Sequence, residues 1–514
     1  DMLDCIIGRI GTGDVTMIPK QPLHCCLLQL YGDLQPANAE PLAVEALAAA
    51  ITEENPLAQV RIECISSLQT VESQLAFLQN IQEPHYDLIG ISCPQGTYHM
   101  AIGVLDIVYN LPQAPLTILG SALPTTLPDV FLAAYPKVLI VRGWGEIAIR
   151  QLSKQVIANE ISLASVSSLT YLDELGHRKD NPIEWPVDLP APTRIAPDAY
   201  FARVEASRGC HYNVCTFCSR FPGSKRNRSW VRLDVDKVVG QIKDLVTSGV
   251  TTFTFTDEDF VGNDVEGALQ LARQVATIPG IDFALSVRAD NVINPTDSKA
   301  DATARLDLFR QLQIAGLSLV FIGAESFSTP QLHRYGKGFD VTTNIAAIQM
   351  LVEMGFEIEL GMILFDPLTS KDELRQNLNV LMETGFWRFV GYPFSFMRPA
   401  VGTPYAELLR HKRLLGGLNP NTAEYASRYE SPFVESVVLL CKQWNDMFHA
   451  FYSALRNVVR SDLGAGDFLE EAHSYRLLQF AFLDDLLRSA VGLPVSLDIS
   501  ASWRTQVEEV GRII

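Results

Sequence analysis

Three cysteines fall within nine positions of one another in Ser207-Arg208-Gly209-Cys210-His211-Tyr212-Asn213-Val214-Cys215-Thr216-Phe217-Cys218. An isolated cysteine packs like a small hydrophobe, but three in one glycine-preceded loop after an apolar run point to ligands. The spacing is C-x4-C-x2-C. A structural zinc ion wants four nitrogen or sulfur ligands, whereas His211 is poorly placed to share a metal with Cys210 and no second cysteine pair follows. An iron–sulfur cluster held by three thiolates keeps one iron open to another molecule, which is the arrangement that permits catalysis.

The elements that must hold this loop can be read around it. Between residues 24 and 160, short apolar runs alternate with helix-like stretches. Strands are expected at 24–30, 59–65, 87–92, 116–119 and 138–141, and helices at 42–51, 71–79, 101–109 and 127–134. This alternation implies a parallel sheet covered on both faces, with ligands beyond the strand C-termini. Small and polar residues stand at those ends: Ser92-Cys93-Pro94-Gln95-Gly96-Thr97, Gly120-Ser121-Ala122 and Arg142-Gly143-Trp144-Gly145-Glu146. Neither a dinucleotide nor a P-loop fingerprint is present. Residues 161–200 read as a hairpin turning at Gly176 and then a proline-stiffened linker. From Ala202, six strand–helix units follow, with strands at 202–207, 251–256, 282–288, 317–323, 357–363 and 389–396. Six such units predict a partial barrel whose chemistry gathers at the strand C-termini, and the cysteines lie just past the first. After Tyr405 the strands stop, and Val437, Leu440, Trp444, Met447, Phe451, Leu455 and Val458 recur at helical spacing.

Composition limits the function classes. The 514 residues exceed what one core supports. The net charge of −18 disfavours a nucleic-acid surface, apart from a local basic patch at Lys225, Arg226 and Arg228. Nine scattered cysteines are not a secreted disulfide framework. With no membrane-length apolar run and no basic-then-apolar signal pattern at the start, a cytoplasmic location is expected.

The cysteine loop resembles that of the radical S-adenosylmethionine (SAM) superfamily, in particular the subgroup with an N-terminal cobalamin-binding domain. It departs by one extra residue between Cys210 and Cys215, the usual spacing being C-x3-C-x2-C. Thr256-Asp257-Glu258-Asp259-Phe260 resembles the acidic turn that receives the SAM amine, Gly323-Ala324-Glu325-Ser326 the fourth-strand motif, and Arg398-Pro399 with Gly402-Thr403-Pro404-Tyr405 the closing segment. Upstream, 86–92, Leu119-Gly120-Ser121 and 141–146 resemble cobalamin-domain elements, although Ser121 stands where a second glycine is usual and Trp144 where an acidic residue is. The D-x-H-x-x-G motif is missing, since Thr97 occupies its first position before His99, so the resemblance implies cobalamin without a histidine lower ligand.

The resemblance implies an α/β protein: a Rossmann-like cobalamin-binding domain (1–160), a hairpin and linker (161–200), a (β/α)6 partial TIM barrel (201–410) and a helical C-terminal region (411–514). It assigns Cys210, Cys215 and Cys218 to a [4Fe-4S] cluster. Phe217, Asp257, Glu258, Arg288, Glu325 and Ser326 are assigned to SAM. Ser92, Gln95, Thr97, Gly120, Ser121, Gly143, Trp144, Gly145 and Glu146 are assigned to cobalamin. The implied activity is methylation of an unactivated carbon of a small molecule or peptide, through a 5′-deoxyadenosyl radical and methylcobalamin, with an external low-potential electron donor. Rearrangement or cyclisation without methyl transfer uses the same cofactors, and a non-catalytic iron–sulfur protein is the alternative from another class. The scheme requires no single-residue acid or base, and none is assigned.

Overall fold

The protein is described here from a computed structural model covering residues 22–32, 39–66, 85–111, 113–186, 188–195, 201–219, 230–460, 469–489 and 501–511. The helix expected at 71–79 and the basic patch at Lys225, Arg226 and Arg228 lie outside the described residues.

The N-terminal sheet contains β1 (His24–Tyr31), β2 (Gln59–Ser66), β3 (Leu88–Ser92), β4 (Leu116–Gly120), β5 (Leu139–Val141), β6 (Leu169–Leu172) and β7 (Arg178–Asp180), in the order β2-β1-β3-β4-β5-β6-β7. The first five are parallel. β1 and β3 read as continuous apolar runs because both faces are covered. Helices Leu42–Glu54 and Glu146–Ala158 pack one face through Val44, Ala48, Ile149 and Leu152. Helices Tyr98–Tyr109 and Pro128–Ala134 pack the other through Val104, Leu105 and Phe131. The direction of winding reverses between β1 and β3, which opens a crevice beyond their C-termini. The hairpin expected near Gly176 forms, but it extends this sheet as antiparallel β6 and β7 instead of standing apart from it.

The second sheet joins β8 (Arg203–Val204), β11 (Thr252–Phe255), β12 (Asp282–Arg288), β13 (Leu317–Glu325) and β14 (Glu357–Met362), all parallel, in the order β14-β13-β12-β11-β8. Between β8 and β11, the short antiparallel pair β9 (Ser207–Gly209) and β10 (Trp230–Arg232) carries the chain into and out of the cysteine loop. Side-chain caps from Asp234, Asp264, Ser298, Asp340 and Ser370 start the intervening helices by accepting first-turn amides. The sixth strand expected at 389–396 is reduced to isolated parallel bridges, Val390 to Leu360 and Phe396 to Phe365.

One correction concerns the C-terminal region. The strands do not stop at Tyr405, because β15 (Leu415–Asn419) and β16 (Glu424–Ser427) form an antiparallel hairpin. The helical stripe beyond is a packing face: Trp444 is fully buried between Phe394 and Phe482 and donates to the Tyr475 hydroxyl. Tyr452 donates to the Gly391 carbonyl at 2.6 Å. Helices Pro432–Arg460 and Leu469–Arg488 thus cover the barrel where its sixth strand is weakest.

Candidate functional site

The cysteine loop begins at Gly209, whose φ of +83° favours glycine and whose amide donates to Glu258 Oε2 at 3.0 Å. The backbone then turns through Asn213 at φ +41°. Asparagine tolerates this left-handed conformation better than most residues, and the turn gives the extra residue between Cys210 and Cys215 a place. The amides of Tyr212 and Asn213 point at Cys210 sulfur. Tyr212 fixes the bulge from outside, donating to the Gly336 carbonyl at 2.7 Å while its ring lies 3.9 Å from the Arg288 guanidinium.

All eight described cysteines are free thiols. Burial and the Asp259 charge push Cys210 up to about 11. Burial also raises Cys215, against the charges of Lys337 and Arg288, and Arg288 Nη1 lies 3.8 Å from its sulfur. Metal binding would displace these protons. Among the described residues no three His, Cys, Asp or Glu side chains converge on a point suited to one metal ion. A polynuclear cluster, in which each thiolate takes a different iron, matches this donor set better than zinc.

Asp259, fully buried, accepts from His211 at 2.5 Å and from the Gly262 amide at 3.0 Å. Burial alone would raise its carboxyl, but His211, that amide and the Arg288 charge outweigh it and hold it below the ordinary range. At the end of β13, Glu325 takes φ +63° and sits 3.3 Å from Lys337 Nζ. A left-handed glutamate is costly and is held by its surroundings.

Several of the expected SAM residues face elsewhere. Asp257 is buried behind the loop, accepting from the Ala206 amide at 3.1 Å and from the Ser207 hydroxyl, and burial pushes it up to about 7. Ser326 is fully buried between Gln331 Oε1 and Asn377 Oδ1. Neither side chain can meet a ligand without rearrangement. Arg288 is held by Asp290 through two 2.9 Å bonds and by the Lys337 carbonyl, with its positive charge beside Cys215. Glu258, Glu325 and Phe217 remain at the loop, with Phe217 edge-on to Tyr335 at 5.6 Å.

Beyond the N-terminal sheet, Ser92 and Gly120 pair in register, and nothing lies within 4 Å of where a Gly120 Cβ would project. Gln95 is half-buried beside Gly96. Gly32, after β1, approaches Gly96 so closely that a Cβ there would meet its carbonyl oxygen at 2.3 Å. Thr97, expected at cobalamin, is fully buried and donates to the Pro94 carbonyl at 2.7 Å. Gly143 takes φ +78°, and Gly145 would press a Cβ to 3.0 Å from Leu47. Trp144 packs edge-on to Trp185 at 4.7 Å and beneath Arg208 at 5.2 Å. Glu146, expected at cobalamin, forms an ion pair with Arg208 at 2.7 Å. Sequence reasoning missed Arg208, Trp185, His211 with Asp259, and Lys337. The glycines flanking Lys337 were the one local signal.

Ser121 adopts φ +79° and ψ −172°, a region that glycine alone occupies readily, and its side chain makes no capping bond. Ser121→Gly is therefore expected to stabilise the N-terminal sheet by about 1 kcal/mol, read as a higher unfolding temperature of that domain. A lower one would mean that the hydroxyl makes a needed contact.

Comparison with known proteins follows this geometry. Residues 204–377 match the radical SAM superfamily. The 4′-phospho-dehydrooxetanocin synthase of Priestia megaterium is 30% identical over 355 residues, covering 63% of this chain and 47% of the synthase. The chain thus spans about half the length of that relative. The cobalamin-dependent SAM radical enzyme OxsB, solved with aqua-cobalamin and SAM bound, superposes with a TM-score of 0.81 at 23% identity, over 96% of this chain and 75% of OxsB. The radical SAM methyltransferase TsrM from Kitasatospora setae, solved with cobalamin and a [4Fe-4S] cluster, superposes at 0.64 with 13% identity, over 91% of this chain and 99% of TsrM. At those identities the two structures establish the fold. Residues 204–377 thus form a radical SAM domain, and the chain as a whole has the fold of OxsB and TsrM.

Proposed function

We propose that the protein is a cobalamin-dependent radical SAM enzyme acting on a small molecule or peptide. The observation that carries this reading is three free thiols on one loop past the C-terminal end of β8, with Cys215 facing positive charge from Arg288 and Lys337, in a domain matching the superfamily. Cys210, Cys215 and Cys218 would hold a [4Fe-4S] cluster. Cobalamin would sit in the space open at Gly120, between the loops after β3 and β5. When bound, these groups with SAM supply a 5′-deoxyadenosyl radical and cobalt chemistry, given an external electron donor.

The chain's own residues orient and shield. Arg288 and Lys337 offset the negative charge of thiolates in a partly buried loop. Glu258 fixes the Gly209 backbone, and Glu325 presents a carboxylate suited to an ammonium group. Tyr212, stacked under Arg288, closes the loop from behind.

Two outcomes diverge after hydrogen abstraction. A reaction without methyl transfer takes precedence, because the relative at 30% identity is a synthase by name, whereas the likeness to the methyltransferase is one of fold. Methyl transfer, which the domain order alone suggested, is the second reading. Anaerobic reconstitution with iron, sulfide and cobalamin, followed by mass analysis of SAM products in the presence of substrate, separates them. The first reading expects 5′-deoxyadenosine without S-adenosylhomocysteine. Matched amounts of both would favour methylation, and no SAM cleavage by the reduced protein would overturn the enzyme assignment.

A further inference from the structure

The β15–β16 hairpin crosses from the C-terminal end of the barrel to the N-terminal sheet. At its tip, Asn421 accepts from two amides of the loop after β3: its carbonyl from Gly96 at 2.7 Å and its side-chain Oδ1 from Tyr98 at 2.9 Å. The second bond replaces a missing cap. Tyr98 opens the helix Tyr98–Tyr109, whose first amides need acceptors, but the preceding Thr97 makes no side-chain cap and spends its hydroxyl on Pro94. Asn421, 323 residues away, supplies the acceptor.

Beside it, Ala423 is fully buried in the apolar cluster of Leu28, Ile91 and Phe131, with φ +56°. An alanine held left-handed within another sheet's core is strained, and the surrounding packing maintains it.

Just past its tip, the hairpin is tied to residues 398–401, the segment that leads on to the cysteine loop. Val401 donates to the Ala423 carbonyl and Tyr425 to that of Pro399, each at 2.9 Å, and Arg398 pairs with Glu424 at 3.2 Å. Four residues on from Val401, the Tyr405 amide donates to the carbonyl of Thr216, between Cys215 and Phe217, at 2.9 Å. The Thr216 amide in turn donates to the Tyr335 carbonyl, also at 2.9 Å. A hydrogen-bonded path therefore runs from Gly96 and Tyr98 through the hairpin to the cysteines.

We propose that this hairpin is a strut that sets the separation and orientation of the β3 loop relative to the cysteine loop, with Asn421 as its positioning residue. The inference rests on the reading above that these loops face cobalamin and the cluster. The bonds of Asn421 go to backbone amides. It acts through the Tyr98 amide and the first turn of the helix.

The test uses the full chain as wild type, Asn421→Ala and Asn421→Asp, each reconstituted with iron and sulfide. Two properties are measured: amide hydrogen exchange in peptides spanning 94–100 without cobalamin, and aquacobalamin affinity by absorbance titration. Asn421→Ala is expected to exchange about tenfold faster there and to bind aquacobalamin about tenfold more weakly, with wild-type iron content. Asn421→Asp, which keeps an acceptor and adds negative charge at a helix N-terminus, is expected to restore both. Unchanged exchange and affinity in Asn421→Ala, or failure of Asn421→Asp to restore them, would overturn the proposal. So would loss of iron alongside, which would place the effect in the fold as a whole. If wild-type protein binds no cobalamin, the functional reading fails, and the exchange measurement still decides whether Asn421 holds the loop.

Discussion

Cys215→Ala is expected to reduce SAM cleavage by the reconstituted, reduced protein by more than about a hundredfold. Loss of residues that merely support metal ligands costs about 10–100-fold, and removing a ligand itself should cost more. Cys215 is the central thiol of the three and the one facing both Arg288 and Lys337. With its sulfur gone, that positive charge loses its thiolate and the cluster loses one of three protein ligands. Iron and sulfide content, the electron paramagnetic resonance of the reduced protein, and 5′-deoxyadenosine formation should fall together. Cys441→Ala is the matched control, because Cys441 is fully buried in the C-terminal helical cluster, away from the loop. A triple Cys210, Cys215 and Cys218 to alanine variant that retained a full cluster would refute the ligand assignment.

The legible part of the chain is the part written in periodicity. β1, β3 and β13 are apolar runs bounded by turn residues, and the helices after them are amphipathic, so sequence places both parallel sheets within a few residues. The hairpin β15–β16 escaped because its first strand, Leu-Gly-Gly-Leu-Asn, is largely exposed and carries glycine in place of an alternating pattern. Its stability comes from tying residues 398–401 to the tip, which no local pattern reports. At the site, sequence identified the right strand ends but not which neighbour points where. Asp257 and Glu258 are adjacent, yet the first is buried against Ala206 and Ser207 while the second holds Gly209. Both lie in the loop beyond β11, which ends at Phe255, so the path of that loop decides which of them faces the cysteines. Ser326 is turned inward where the register shift at Glu325 re-aims the chain into the buried Gln331 and Asn377 network. The extra residue before Cys215, by contrast, is explained once Asn213 is seen in the left-handed region.

Arg208→Ala is expected to destabilise the protein by about 3 kcal/mol, because it strips the counter-charge from the buried Glu146 and the half-buried Glu205. Arg208 donates through Nη1 to Glu146 at 2.7 Å, and through Nε and Nη2 to Glu205 at 2.9 and 2.6 Å. It also lies over Trp144. Glu146 opens a helix of the N-terminal sheet, whereas Glu205 and Arg208 belong to the barrel's entry into the cysteine loop, so the pair joins the two halves. Lysine cannot replace it, since one ammonium cannot serve both carboxylates in this forked geometry and lie flat over an indole. Arg208→Lys is therefore expected to recover only part of the loss. The informative comparison is Arg208→Met combined with Glu146→Gln and Glu205→Gln, which removes all three charges. Replacing a buried ionic group by neutral side chains of similar size is often tolerated, so the triple variant should unfold closer to wild type than Arg208→Ala does. If Arg208→Ala unfolded within about 1 kcal/mol of wild type, the value typical of an exposed pair, the bridge would be incidental. The association of the two halves would then rest on apolar packing and the hairpin.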